Sequence, residues 1–129
     1  MAAVPVLEIL PGLRVIASPE ALDAVPWEAR AVVLRFAPDD AFAIGVTDID
    51  VNDAHAIVAE ETGFVGVWLT VDEFTEQVIP HVEWPLPEAR PALGQGFIAG
   101  VPAKLWLTGD RALLLCAGSY AHELAERLR

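Results

Sequence analysis

The sequence is poor in positive charge and in cysteine. Only one of its 129 residues is lysine and seven are arginine, against 19 aspartates and glutamates, so the formal net charge is −11. Eight scattered cations cannot form the basic surface that nucleic acid or an anionic membrane requires, which excludes both as expected partners. The single cysteine, Cys116, excludes an internal disulfide and is typical of a reducing compartment.

Long apolar runs are also missing. No run approaches the roughly 20 residues that span a bilayer, and residues 1–10 lack the basic segment that begins a signal peptide. We therefore expect a cytoplasmic protein. A chain of 129 residues buries about two-thirds of its unfolded surface, which is enough for an autonomous core. Residues 1–129 are accordingly expected to form a single domain.

Apolar side chains, by contrast, are abundant, at 54% of residues. This content excludes a disordered acidic chain. Two interpretations stay open. One is a dense, alanine-rich core. The other is surplus apolar surface, which marks contact with a protein partner or with a second copy of the chain.

Turn and capping residues predict an α+β fold, a mostly antiparallel sheet with helices packed on one face. Turns at residues 38–40 and 108–110 predict two hairpins. Helix starts are predicted after Ser18, at the capping box of Thr70 and Glu73, and after Ser119. The predicted strands share apolar, β-branched runs between turn signals, and they cover residues 4–9, 14–17, 31–37, 41–46, 63–69, 97–107 and 112–117.

Residues 48–59 are polar at their start and are predicted to be mostly loop. Asp48 and Asp50 open like an EF-hand calcium loop, but Asp53 stands where that loop needs glycine, and its twelfth position lacks the bidentate glutamate. A looser metal site of Asp48, Asp50, Asp53 and His55 remains open, beside the alternative of a solvated acidic loop.

A glycine-rich stretch, GQGFIA at residues 94–99, satisfies the G-x-G-x-x-A dinucleotide fingerprint. That fingerprint needs a preceding strand and a following helix. Pro91 precedes the stretch and a β-rich run follows it, so Gly94 and Gly96 are predicted to form a bend or bulge at a strand start. Both glycines are also candidates for contact with a ligand or partner.

Two of the four tryptophans are also candidates for contact with a ligand or partner. Trp27 and Trp84 lie beside prolines in connecting segments, where a partly exposed ring can line a pocket. Trp68 and Trp106 lie in apolar strands and are predicted to belong to the core.

The remaining candidate nucleophiles do not lie in recognisable catalytic motifs. Three leucines precede Cys116, and apolar surroundings raise a thiol pKa, so this residue is predicted to be a buried core cysteine. Ser119 lacks the G-x-S-x-G elbow that exposes a nucleophile. We predict no catalytic residue and no cofactor.

Parts of the sequence resemble the sarcosine oxidase gamma subunit family. VPAKLWLTG at residues 101–109, followed by SYAH at residues 119–122, is similar to the closing strand, turn and helix start of that family. VLRFAPDDAF at residues 33–42 is similar to an upstream hairpin, in the same order. The resemblance covers residues 31–129 and implies the fold of the folate-binding aminomethyltransferases of glycine cleavage.

The chain also departs from that family. AEETGF at residues 59–64 stands where the family has a polar stretch with one acidic and one basic residue, so both are missing from their expected places. The chain is also shorter in the region of residues 48–59. Folate binding and functional residues are therefore not transferred.

Three functions remain open. The leading hypothesis is a non-catalytic accessory or scaffold subunit that binds an oxidoreductase, or itself, through an apolar surface. The alternative is a stand-alone protein that binds a folate-like or amine ligand in a pocket at Trp27, Trp84 or the acidic loop. The third is an enzyme that uses Asp48, Asp50 and His55 around a metal.

Overall fold

The structure, a computed structural model, describes residues 6–129, which pack as two compact units. Unit 1 comprises residues 6–9 and Gly63–Arg129, and unit 2 comprises Leu10–Thr62. The predicted α+β class is confirmed, although the described residues form two antiparallel sheets where one was expected. That residues 1–129 act as a single domain stays a prediction. Residues 4 and 5 of the first predicted strand lie outside the described residues.

Unit 2 is a four-stranded antiparallel sheet with one short helix. Its elements are β2 (Gly12–Ile16), α1 (Pro19–Asp23), β3 (Val32–Ala37), β4 (Asp40–Ile44) and β5 (Ile57–Glu61), and the strand order is β3-β4-β2-β5. Ser18 caps α1 as predicted, because its hydroxyl accepts a hydrogen bond from the N–H of Ala21 at 3.2 Å. Leu22 of α1 packs with Leu13 and Val15 of β2, which places the core on the face that α1 covers.

Residues 48–59 are mostly loop, as predicted, but the last three of them begin a strand that was not predicted, β5. It pairs antiparallel with β2 along its whole length, from Ile57 opposite Ile16 to Glu61 opposite Gly12. The β-branched pair Ile57 and Val58 was its one local signal, and it is too short to stand out. The strand forms because β2 offers it an edge to pair with.

Unit 1 is a five-stranded antiparallel sheet with two helices on one face. Its elements are β1 (Glu8–Ile9), β6 (Phe64–Thr70), α2 (Val71–Gln77), β7 (Ala92–Ile98), β8 (Val101–Leu107), β9 (Arg111–Ala117) and α3 (Ala121–Arg127), in the order β1-β6-β9-β8-β7. Phe74 of α2 and Leu124 of α3 belong to the same buried cluster as Leu105 of β8. None of the helices within residues 6–129 has the length and apolarity to cross a membrane.

Two predicted element limits in unit 1 were wrong. Residues 97–107, expected as one strand, contain the turn between β7 and β8, where Ala99 and Gly100 have φ of 50° and 76°. Positive φ at both central residues is typical of a two-residue hairpin turn. Ser119 does not cap α3, because a 3₁₀ turn at Gly118–Tyr120 precedes the helix and no side chain caps it.

Candidate functional site

Asp53 holds the acidic loop between β4 and β5 in place. Its Oδ2 accepts a hydrogen bond from the backbone N–H of Ser18 at 2.9 Å, and its Oδ1 accepts one from the N–H of His55 at 2.9 Å. These two bonds, that of Ser18 foremost, hold the pKa of the Asp53 carboxyl below its ordinary value. Asp53 thereby fastens the loop to the residue that caps α1.

The four candidate metal ligands do not converge. Across residues 6–129 no three histidine, cysteine, aspartate or glutamate side chains are grouped so that they could hold a metal ion. Asp53 already binds two backbone amides, which leaves it poorly placed to bind a cation together with Asp48, Asp50 and His55. The metal site stays a prediction that the geometry does not support.

A cavity that opens to solvent lies within unit 2, between the acidic loop and the segment of α1 with the residues that follow it. It has a volume of about 400 Å³, within the usual range for small-molecule pockets of roughly 300–1,000 Å³. Five of its seven lining residues are apolar, and Asp50 and Asn52 supply a carboxylate and a carboxamide. The lining residues are Ala21, Ala24, Val25, Pro26, Asp50, Val51 and Asn52.

Trp27 directly follows Val25 and Pro26, which line this cavity, but is not itself a lining residue. Its ring is half-buried and packs against the core of unit 2. The backbone N–H of Trp27 donates to the carbonyl oxygen of Val25 at 2.9 Å, which fixes the turn after α1. Trp27 therefore stands as a neighbour of the cavity, positioned by core packing.

Trp84 and the two glycines contact one another. A Cβ built on Gly96 would lie 2.6 Å from Cε3 of Trp84, and one built on Gly94 would lie 3.2 Å from its Nε1. The indole therefore lies directly on the backbone of β7, where any larger residue would displace it. The predicted bend or bulge was wrong, because β7 pairs with β8 in unbroken register from Ala92 to Ile98.

The other two tryptophans are half-buried strand residues. Trp68 and Trp106 both lie opposite Leu113 of β9, and neither belongs to the buried core cluster of unit 1. The guanidinium of Arg111 stacks 3.8 Å above the Trp68 ring, a cation–π contact. Their predicted core role is therefore met only in part.

The edge of β5 is an exposed apolar feature that the sequence reasoning missed. Within the described residues β5 is the last strand of its sheet and has one neighbouring strand, β2, so residues 57–60 form an open edge. The side chains of Ile57 and Val58 are 61% and 42% exposed. Successive strand residues point to opposite faces, so apolar surface is open on both sides of this strand.

Arg14 joins β5 to the rest of its sheet. Its guanidinium donates to both carboxylate oxygens of Asp40, at 2.6 and 2.7 Å, and to Glu61 Oε1 at 3.0 Å. The hydrogen bonds to Asp40, more than those to Glu61, raise the pKa of Arg14. The three side chains lie on β2, β4 and β5, so the cluster ties three strands together.

Cys116 is buried on β9, as predicted. Its side chain is 1% exposed, and burial raises the pKa of the thiol to about 11. A thiol with this pKa is protonated at neutral pH and therefore makes a poor nucleophile.

Comparison with known proteins gives a match at the level of structure. No family model matches the sequence, and no curated protein matches it. The chain is similar to a chain of the heterotetrameric sarcosine oxidase from Corynebacterium sp. U-96, solved in complex with pyrrole 2-carboxylate, with a TM-score of 0.71 and 13% sequence identity. The match covers 99% of this chain and 84% of that chain. The fold expected from the resemblance to sarcosine oxidase gamma subunits is therefore confirmed: this protein folds like a chain of the heterotetrameric sarcosine oxidase.

Proposed function

We propose that this chain is a non-catalytic accessory subunit that docks an oxidoreductase in the cytoplasm. The observation that carries the proposal is the fold, which matches a chain of an enzyme that is itself a heterotetramer. Exposed apolar side chains support it, because a subunit needs such surface to bind a partner. Ile57 and Val58 are the adjacent pair on an open strand edge.

The bonding of three side chains that could otherwise act in catalysis supports a structural role for them. Asp53 binds backbone amides, Asp40 binds Arg14, and Cys116 is a buried neutral thiol. Each of these groups is engaged in holding the fold together.

Co-expression tests the proposal. The chain would be produced together with a candidate flavoprotein oxidoreductase from the same genome, and the purified material would be analysed by size-exclusion chromatography with light scattering. We expect the chain to elute with the flavoprotein, and not with an unrelated flavoprotein of similar size. Elution of the chain as a separate species of 13.9 kDa would contradict the proposal. A multiple of that mass without a partner would favour self-association instead.

The cavity between α1 and the acidic loop supports a second candidate function, binding of a small amine. Its apolar lining suits an alkyl body, and the Asp50 carboxylate suits a protonated amine. The same carboxylate would repel the glutamate carboxylates of a folate, so this cavity does not fit a folate-like ligand.

Calorimetric titration with trimethylamine and with tetrahydrofolate tests this second candidate. We expect heat of binding with trimethylamine only, and its loss in Asp50→Asn. Asp48→Asn changes the net charge equally at a residue outside the cavity lining and is the matched control. Equal affinity in both variants, or no heat with wild-type protein, would rule the amine site out.

A further inference from the structure

The open edge of β5 has the properties of a strand-addition site. The five residues Ile57–Glu61 are extended and exposed or half-exposed, and β5 lies at the edge of its four-stranded sheet, next to β2. An edge strand presents unpaired N–H and C=O groups that an extended segment of another chain can bind. Val58 and Glu60 lie two residues apart and therefore point to the same face.

The charge around this edge favours a basic partner. Residues 36–62, the part of unit 2 that ends with β5, contain seven acidic residues and neither lysine nor arginine. Unit 2 has ten acidic residues and three arginines. Two of those arginines are already engaged, Arg14 with Asp40 and Glu61, and Arg35 with Asp23.

A shallow cavity lies at the C-terminal end of β5. It has a volume of about 140 Å³, and Glu60 contributes to its lining together with Pro11, Gly12, Gly45, Val46, Thr47 and Thr62. A space of this size with a carboxylate at its wall suits the aliphatic stem and the charged end of one lysine side chain.

We propose that β5 is the docking edge of this chain, and that the partner adds an extended segment with an apolar side chain beside Val58 and a lysine or arginine beside Glu60. The inference rests on the proposed accessory function for the existence of a partner, and it names the surface and the chemistry of the partner's segment. Main-chain hydrogen bonds supply affinity, and the alternating apolar and basic side chains supply specificity.

Charge also argues against a second copy of this chain as the occupant. Two β5 edges side by side would place Glu60 and Glu61 of both copies on one small surface, in molecules that each carry a net charge of −11. Like charges across an edge oppose pairing.

A synthetic peptide in which threonine alternates with valine and lysine (TVTKTVTK) serves as the probe, and the same peptide with glutamate for lysine is its control. NMR chemical shifts locate the binding site, and fluorescence anisotropy of labelled peptide gives Kd. We expect shifts concentrated at residues 57–61, and binding of the lysine peptide only. Shifts concentrated elsewhere, or a dimer of this chain paired through β5, would overturn the proposal.

Variants separate the edge from general charge effects. Glu60→Lys is expected to raise Kd about fivefold or more, and Val58→Thr, which keeps a β-branched side chain, to raise it several-fold. Glu76→Lys on α2 makes the same change in net charge and is expected to leave Kd within about twofold. Equal weakening by Glu60→Lys and Glu76→Lys would overturn the proposal.

The co-expressed complex distinguishes this inference from the proposed function. Loss of co-elution in Glu60→Lys and Val58→Thr, but not in Glu76→Lys, supports both. A complex that survives Glu60→Lys and Val58→Thr contradicts the docking edge and leaves the accessory function standing. Peptide binding at β5 without any flavoprotein complex supports the edge and contradicts the accessory function.

Discussion

At the scale of single residues, the contact between Trp84 and β7 constrains the sequence most tightly. A methyl group at residue 96 would lie 2.6 Å from the indole, so either the ring or the strand must move. We expect Gly96→Ala to lower the free energy of unfolding by about 1–3 kcal/mol, as overpacking does. The longer distance at residue 94, 3.2 Å, predicts a smaller loss for Gly94→Ala. Urea denaturation measures both.

Gly109 provides the matched control for these substitutions. A Cβ built there meets nothing within 4 Å, so Gly109→Ala is expected to change the free energy of unfolding by no more than about 0.5 kcal/mol. If Gly96→Ala and Gly109→Ala cost the same, the indole contact is not what requires glycine at residue 96.

Cys116 predicts a pH dependence of stability. The pKa of its thiol is raised by burial from 9.0 to about 11, so between these values the thiol ionises in the unfolded chain but not in the folded one. The free energy of unfolding is therefore expected to fall as pH rises from about 9 to about 11. Cys116→Ala should show a shallower fall over that range in urea denaturation. Parallel curves for the two proteins would contradict the assignment.

At the scale of elements, two helix starts with similar sequence signals differ in structure. The hydroxyl of Thr70 accepts a hydrogen bond from the N–H of Glu73 at 3.1 Å, and the Glu73 carboxylate accepts one from the N–H of Thr70 at 2.8 Å. Thr70→Ala is expected to cost about 1 kcal/mol of unfolding free energy. Ser119→Ala is expected to cost about nothing, because Ser119 caps no helix. Equal losses in thermal or urea unfolding would refute this difference.

The cluster of Arg14, Asp40 and Glu61 determines how firmly three strands of unit 2 are joined. Asp40→Asn removes the negative charge from a bidentate, partly buried ion pair. We expect the free energy of unfolding to fall by about 1–2 kcal/mol, and by less in high salt. Asp23→Asn removes the partner of Arg35 where the aspartate side chain is 70% exposed, so its loss should stay below about 0.5 kcal/mol. Comparable losses for the two variants in urea would show that the cluster adds no more than a surface pair.

At the scale of the whole molecule, the features predicted from sequence are those with local causes. The α+β class, the cap at Ser18 and the capping box of Thr70 and Glu73 each follow from residues a few positions apart. The turn between β8 and β9 does too, since the Thr108 hydroxyl bonds both Asp110 and Arg111.

The features that sequence reasoning missed depend on distant partners. β5 is a strand because β2 accepts it, and residues 94 and 96 are glycines because Trp84, about ten residues earlier, lies on them. Asp53 looked like a metal ligand, yet its partner is the amide of Ser18, 35 residues away. In the candidate site, sequence supplied Asp50 and the acidic loop, but not the cavity that α1 completes.

The pairing of β1 with β6 makes unit 2 a replaceable segment. Ile9, the last residue before unit 2, lies opposite Val65, just after it, and Cα atoms of opposed residues are about 4.5–5.5 Å apart. The chain thus leaves and rejoins unit 1 on neighbouring strands, a gap that a hairpin turn would close. Residues within Leu10–Thr62 can therefore be added or removed without shifting the register of the five-stranded sheet, and proteins of this fold are expected to vary in length there first.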